Sequence, residues 1–151
     1  MNGLKQILLA EDNVEDVELT LEALGQIKLA NEVVVVGDGA EALDYLLSRG
    51  RHAGRPGGNP AVVLLDLKMP KVDGLEVLRQ VKSDESLKKI PVVVMTSSRE
   101  ESDLVRSYSL GVNAYVVKPV DFGQFVESVK QVGLFWALVN EPPPGSVRKG
   151  R

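Results

Sequence analysis

Cysteine is absent from this 151-residue chain, and histidine occurs once, at His52. No disulfide framework, thiolate metal site or multi-histidine metal site is therefore available. An excess of one charge is also missing. Eighteen Lys and Arg face 21 Asp and Glu, giving a net charge of -3 and a pI near 5.3. That balance excludes a broad attraction to nucleic acid or to anionic lipid. No apolar run is long enough to cross a bilayer. The opening Met1-Asn2-Gly3-Leu4-Lys5 lacks the apolar stretch of a signal peptide. A soluble, cytoplasmic protein is expected. What the chain does have is 44% hydrophobic residues, enough for one substantial core in one domain.

Short apolar runs alternate with longer amphipathic segments. The runs are Lys5 to Ala10, Val33 to Val36, Ala61 to Leu65, Ile90 to Met95 and Ala114 to Val117. Each is short, largely β-branched and apolar on both alternating faces, the pattern of strands covered on both sides. Between them, apolar residues recur at helical spacing: Val14, Val17, Leu21 and Leu24; Ala40, Leu43, Leu46 and Leu47; Leu75, Leu78 and Val81; Leu104, Val105, Tyr108 and Leu110; Phe122, Phe125, Val129 and Val132. Asn13 precedes the first set and Asp121 the last, both good N-caps. Glu15 and Asp16 place acid in the first turn, where the helix dipole favours it. Five strand–helix alternations imply an α/β fold, a five-stranded parallel sheet with helices on both faces. Residues 49–60, Gly- and Pro-rich and basic, read as a surface loop. The domain is expected over 4–138, with 139–151 an extended or disordered tail unless a dimer contact uses it.

Ligands of open parallel sheets bind beyond the carboxyl ends of the strands. Glu11 and Asp12 follow the first strand, Asp66 ends the third, Thr96 follows the fourth and Lys118 follows the fifth. Three carboxylates, a hydroxyl and an ammonium would share one rim. Crowded carboxylates repel, and a divalent cation relieves them. Hard oxygen ligands that leave room for water and phosphate suit Mg2+. Asp66 can then serve as a nucleophile toward a phosphoryl group, a reaction that asks mainly for positioning and charge neutralisation. Taken singly, each residue has a plainer role: Asp12 as a helix cap, Asp66 in a turn, Lys118 as a solvated charge. Their joint placement on four strand ends is what points to chemistry.

Four stretches carry a resemblance: Ile7-Leu8-Leu9-Ala10-Glu11-Asp12-Asn13; Leu64-Leu65-Asp66-Leu67-Lys68-Met69-Pro70-Lys71-Val72-Asp73-Gly74; Val94-Met95-Thr96-Ser97; and Tyr115-Val116-Val117-Lys118-Pro119. In order and spacing, from about residue 4 to 135, the chain resembles response-regulator receiver domains. The resemblance implies a doubly wound sheet of order 2-1-3-4-5 flanked by five helices, the flavodoxin-like receiver fold. It assigns Asp66 as phosphoacceptor and Asp12 as a direct Mg2+ ligand. Glu11 becomes the acid acting through water, and the Lys68 backbone carbonyl a further ligand. Lys118 becomes the phosphate-binding lysine, its bond to Pro119 expected cis. Thr96 and Tyr115 become the switch pair: the phosphoryl group draws Thr96 inward, Tyr115 follows, and the surface of the fourth helix, fifth strand and fifth helix changes. A cation at Lys68, two residues after the acceptor, departs from the usual pattern and stands near the phosphoryl group or the water that attacks it.

Within the family, the chain is most similar to the single-domain regulators of bacterial phytochrome histidine kinases. Glu11 to Asp16, the basic loop, Ser107 to Tyr115, Lys118 to Asp121 and Phe135-Trp136 carry that likeness. A histidine kinase is the implied phosphodonor, in a light-signalling pathway. No effector domain is expected to follow, so output would come through protein contacts. Phe135, Trp136, Leu138 and Val139 extend past the last expected helix and are candidates for a homodimer contact. Arg148, Lys149 and Arg151 are expected to solubilise rather than bind nucleic acid. The protein is expected not to be an enzyme beyond its own phosphorylation and slow dephosphorylation. The alternatives are a degenerate receiver that scaffolds partners, and a phosphatase with an aspartyl nucleophile. The phosphatase usually wants Asp-x-Asp, where this chain has Lys68. A flavodoxin-like cofactor binder would need a phosphate loop where Glu11-Asp12-Asn13 stands.

Overall fold

The computed structural model describes residues 5–146. Its strands are β1 (Ile7–Ala10), β2 (Val33–Val36), β3 (Val62–Leu65), β4 (Val92–Thr96) and β5 (Ala114–Val117). Its helices are α1 (Val14–Gln26), α2 (Gly39–Leu46), α3 (Gly74–Ser83), α4 (Glu101–Ser109) and α5 (Phe122–Gly133). The strands form one sheet of order β2-β1-β3-β4-β5, every pair parallel. This is the expected fold.

Successive strand residues face opposite sides, so the all-apolar runs feed two cores. Leu8, Ala10, Val63, Leu65, Val92 and Val94 meet the apolar faces of α2 and α3. Ile7, Leu9, Val62, Leu64, Val93 and Met95 meet α1 and α5. The expectation of full burial fails at the edges: β2 lies outermost, and Val35 is 37% exposed. Val14, expected on the apolar stripe, points to solvent because it opens its helix ahead of the first buried turn.

Four helices start at side-chain caps. Asn13, Asp38, Asp73 and Asp121 each accept the backbone N–H three residues on, which satisfies an orphan donor of the first turn. The basic loop is less open than its composition implies. It holds a 3-10 turn at Gly50–His52. The Arg55 guanidinium lies 4.2 Å over the Tyr45 ring and donates to the Tyr45 carbonyl at 2.5 Å, supplying a cation to the orphan carbonyls of α2. His52 sits 3.0 Å from Glu41.

Beyond α5 the chain continues as a π-helical turn, Leu134–Val139. It then runs back over the amino-terminal end of the sheet. Lys5 Nζ donates to the Asn140 carbonyl at 2.6 Å, and the Asn59 N–H donates to the Gly145 carbonyl at 3.0 Å. Leu4, Arg148, Lys149 and Arg151 lie outside the described residues.

Candidate functional site

β1 and β3 are neighbours, yet the chain leaves β1 toward β2 on one side and returns to β3 on the other. The crevice at their carboxyl ends is the switch point of the sheet, where such folds bind ligands. Pairing of Ala10 with Leu65 sets the next residues, Glu11 and Asp66, side by side. The Asp66 N–H donates to the Ala10 carbonyl at 3.1 Å. Gly74, opening α3, packs against this turn. Its N–H donates to the Leu67 carbonyl, and a Cβ there would run into the Asp66 carbonyl oxygen and Leu67 Cα.

Glu11, Asp12 and Asp66 each place a carboxylate oxygen within 4.8 Å of the other two. Glu11 and Asp66 are buried, at 4% and 8% exposure, while Asp12 is open to solvent. Lys118 closes the group. Its Nζ donates to Glu11 Oε1 at 2.6 Å, Asp16 Oδ2 at 2.9 Å and Asp66 Oδ2 at 3.2 Å. It does so from a trans peptide: among the described residues no peptide bond is cis. The expected cis bond to Pro119 is therefore corrected. The ammonium reaches all three acids without it, and trans is the intrinsically preferred isomer by about 0.5–1 kcal/mol.

Burial pushes the Glu11 carboxyl up to about 7; the Lys118 hydrogen bond and charge pull it down, and the Asp66 charge pushes it up again. Burial alone would depress Lys118, but the bonds to Glu11 and Asp16, with the nearby charge of Asp66, outweigh it and hold the ammonium above the usual lysine range. One ammonium thus faces three acids, with Asp12 beside Glu11 and Asp66. An oxygen set of this kind, two members buried and one wet, fits a hard divalent cation with open positions for water, as Mg2+ requires.

Thr96 and Tyr115, the two residues expected to act as a switch, are linked through one residue. Thr96 is fully buried, and its Oγ1 accepts the Ser98 N–H at 3.3 Å. The Tyr115 hydroxyl donates to the Ser98 carbonyl at 3.2 Å. Ser98 Oγ donates in turn to Asp103 Oδ2 at 2.6 Å, in the first turn of α4. Lys68 is split: its N–H donates to Asp66 Oδ1 at 3.4 Å, while its exposed ammonium leans toward Asp103, 4.0 Å away.

Phe135, Leu138 and Val139 lie past α5, at the opposite end of the sheet from this rim, and are exposed, Val139 by 70%. Trp136 differs from them: it packs on the α1–α5 core, with Phe135 edge-on to its ring. Two site residues had no role in the sequence reading. Asp16 had counted only as an acid of the first turn; its position five residues after Glu11, one turn into α1, was the available signal. Ser98 had none, because the two bonds that join Thr96 and Tyr115 run through its backbone.

The family model of the response regulator receiver domain matches residues 7–130. The probable methanogenesis regulatory protein FilR2 of Methanothrix harundinacea is 42% identical over 91% of this chain and 86% of its own. Among solved structures, the bacteriophytochrome response regulator AtBRR is 66% identical, covering 91% of this chain and 99% of that one, with a TM-score of 0.72. The phosphorylated cyanobacterial phytochrome response regulator RcpA is 44% identical, covering 92% and 98%, with a TM-score of 0.86. No helix among the described residues is long and apolar enough to cross a membrane.

Proposed function

This chain belongs to the response-regulator receiver family, and we propose that it is a single-domain regulator that takes a phosphoryl group from a histidine kinase onto Asp66, with Mg2+ bound, in the cytoplasm. The observation that carries the reading is the rim cluster: three carboxylates gathered within 4.8 Å, with Lys118 Nζ 3.2 Å from Asp66. In the transfer an Asp66 oxygen attacks phosphorus. A P–O bond forms, the P–N bond to the kinase histidine breaks, and the electron pair stays on the imidazole nitrogen. Asp12, Asp66 and the Lys68 carbonyl would hold the Mg2+, with Glu11 acting through water, and the ion would supply neutralisation of carboxylate and phosphoryl charge. Lys118 neutralises a phosphoryl oxygen. The Thr96 hydroxyl donates to another.

Drawing Thr96 inward disturbs its bond to Ser98, and Tyr115 hangs from the same residue. That shared joint supports a concerted move of the pair, which biases an existing equilibrium rather than building a new state. The surface it would alter carries exposed Leu104, Val105, Tyr108 and Phe122. The histidine kinase is assigned as a bacterial phytochrome, from the likeness to AtBRR and RcpA. The exposed Phe135, Leu138 and Val139 are assigned to a homodimer, with Trp136 supporting them from the core side. Sedimentation showing monomer alone at micromolar concentration, with and without an acyl-phosphate mimic, would remove the dimer.

Intact mass after incubation with acetyl phosphate and Mg2+, beside Asp66→Asn, tests the main reading. One added phosphoryl mass, magnesium-dependent and absent from the variant, is expected. No gain with acetyl phosphate or with a phosphorylated kinase donor would favour the scaffold.

A further inference from the structure

An ammonium has three N–H donors, and in Lys118 three carboxylates occupy them. Two of these acids have roles in the proposed chemistry: Asp66 as acceptor, Glu11 beside the metal. Asp16 has neither. Its contact closes a loop of bonds. The Asn13 N–H donates to Glu11 Oε2 at 3.1 Å, the Asp16 N–H to Asn13 Oδ1 at 2.9 Å, and Lys118 to both Asp16 and Glu11. The start of α1 is tied to the end of β5 through this one ammonium.

With its donors filled, Lys118 has none to offer a phosphoryl oxygen. One contact must be given up. Glu11 is the shortest and deepest, at 2.6 Å and 4% side-chain exposure. Asp66 carries the phosphoryl group itself, so its neighbour must stay close. Asp16 is 30% exposed, and water can take over its carboxylate when the lysine leaves.

We propose that Asp16 is a positioning residue that holds Lys118 in the unphosphorylated protein, and that an anion bound at Asp66 displaces it. The inference rests on the reading of Asp66 as phosphoacceptor. Asp16 then opposes phosphoryl binding, and its release opens the ring at the start of α1.

The full-length chain is titrated with beryllofluoride at saturating Mg2+, followed by 19F NMR, and with Mg2+ alone by calorimetry. Asp16→Asn is expected to bind beryllofluoride about three- to tenfold more tightly than wild type, the range of one partly exposed charged hydrogen bond. Mg2+ alone should bind this variant more weakly, because the rim has lost a negative charge. Asp16→Glu should return both affinities toward wild type. Opposite shifts for the two ligands are the signature, since a merely loosened fold would weaken both. Beryllofluoride binding that is unchanged or weaker in Asp16→Asn, beside normal binding by wild type, overturns the inference and leaves the phosphoacceptor reading intact. No beryllofluoride binding by wild type overturns that reading, and this inference with it.

Discussion

Replacing Lys118 with methionine keeps most of the side chain's bulk and removes its charge. Glu11 and Asp66, both buried, then lose their counter-ion. Stripping the partner from a buried charge costs about 3–5 kcal/mol. Glu11 can escape part of that cost by taking up a proton, so the penalty must depend on pH. Burial already raises its carboxyl to about 7 in the wild type, against the pull of Lys118; without the lysine it rises further. A folded-state pKa above the unfolded value means that stability falls as pH climbs between the two. In the wild type that fall ends near pH 7. In the variant it continues, at about 1.4 kcal/mol per pH unit. The Glu11 share of the gap is therefore near zero at pH 6 and about 1.4 kcal/mol at pH 8, within a total of about 3–5 kcal/mol at pH 8. Urea denaturation of both proteins at the two pH values measures it. Mg2+ should narrow the gap by restoring positive charge to the rim. A gap independent of pH, or one below about 1 kcal/mol at pH 8, would refute the claim that Lys118 favours the ionised form of Glu11.

The same proton competes with metal in the wild type. Glu11, raised to about 7, must be ionised to favour a cation, so apparent Mg2+ affinity should fall by up to about tenfold from pH 8 to pH 6; calorimetry at matched ionic strength checks it, and a flat profile counts against Glu11 as part of the site. At Gly74 a methyl group would meet the backbone of Asp66 and Leu67. Gly74→Ala should cost about 1–3 kcal/mol in urea denaturation, the usual range for overpacking, and should slow phosphorylation by acetyl phosphate. Unchanged values for both would mean that this turn yields easily.

Much of the architecture is legible in the sequence because it rests on local patterns. All-apolar runs of four or five residues, separated by helical spacing, permit little besides a parallel sheet covered on both faces. Asn13 and Asp121 announce helix starts because a cap acts within three residues. The four acids and bases at strand ends are also local facts: each stands just after its strand, and the topology does the rest. Tertiary structure decided what depends on distance. Asp16 meets Lys118 across 102 residues, and no spacing rule reaches that far. Ser98 joins Thr96 to Tyr115 through its backbone, which any residue type possesses. Arg55 finds the end of α2, and the segment after Val139 finds Lys5, only once the loop and the amino terminus are in place. The choice between Trp136 on the core and Phe135 in solvent turns on a change of helical pitch at Leu134–Val139, which the apolar pattern alone does not encode. Sequence thus determined which groups the rim would hold, since period and position are local quantities. Only the folded chain decided how one ammonium divides its three protons among the acids around it.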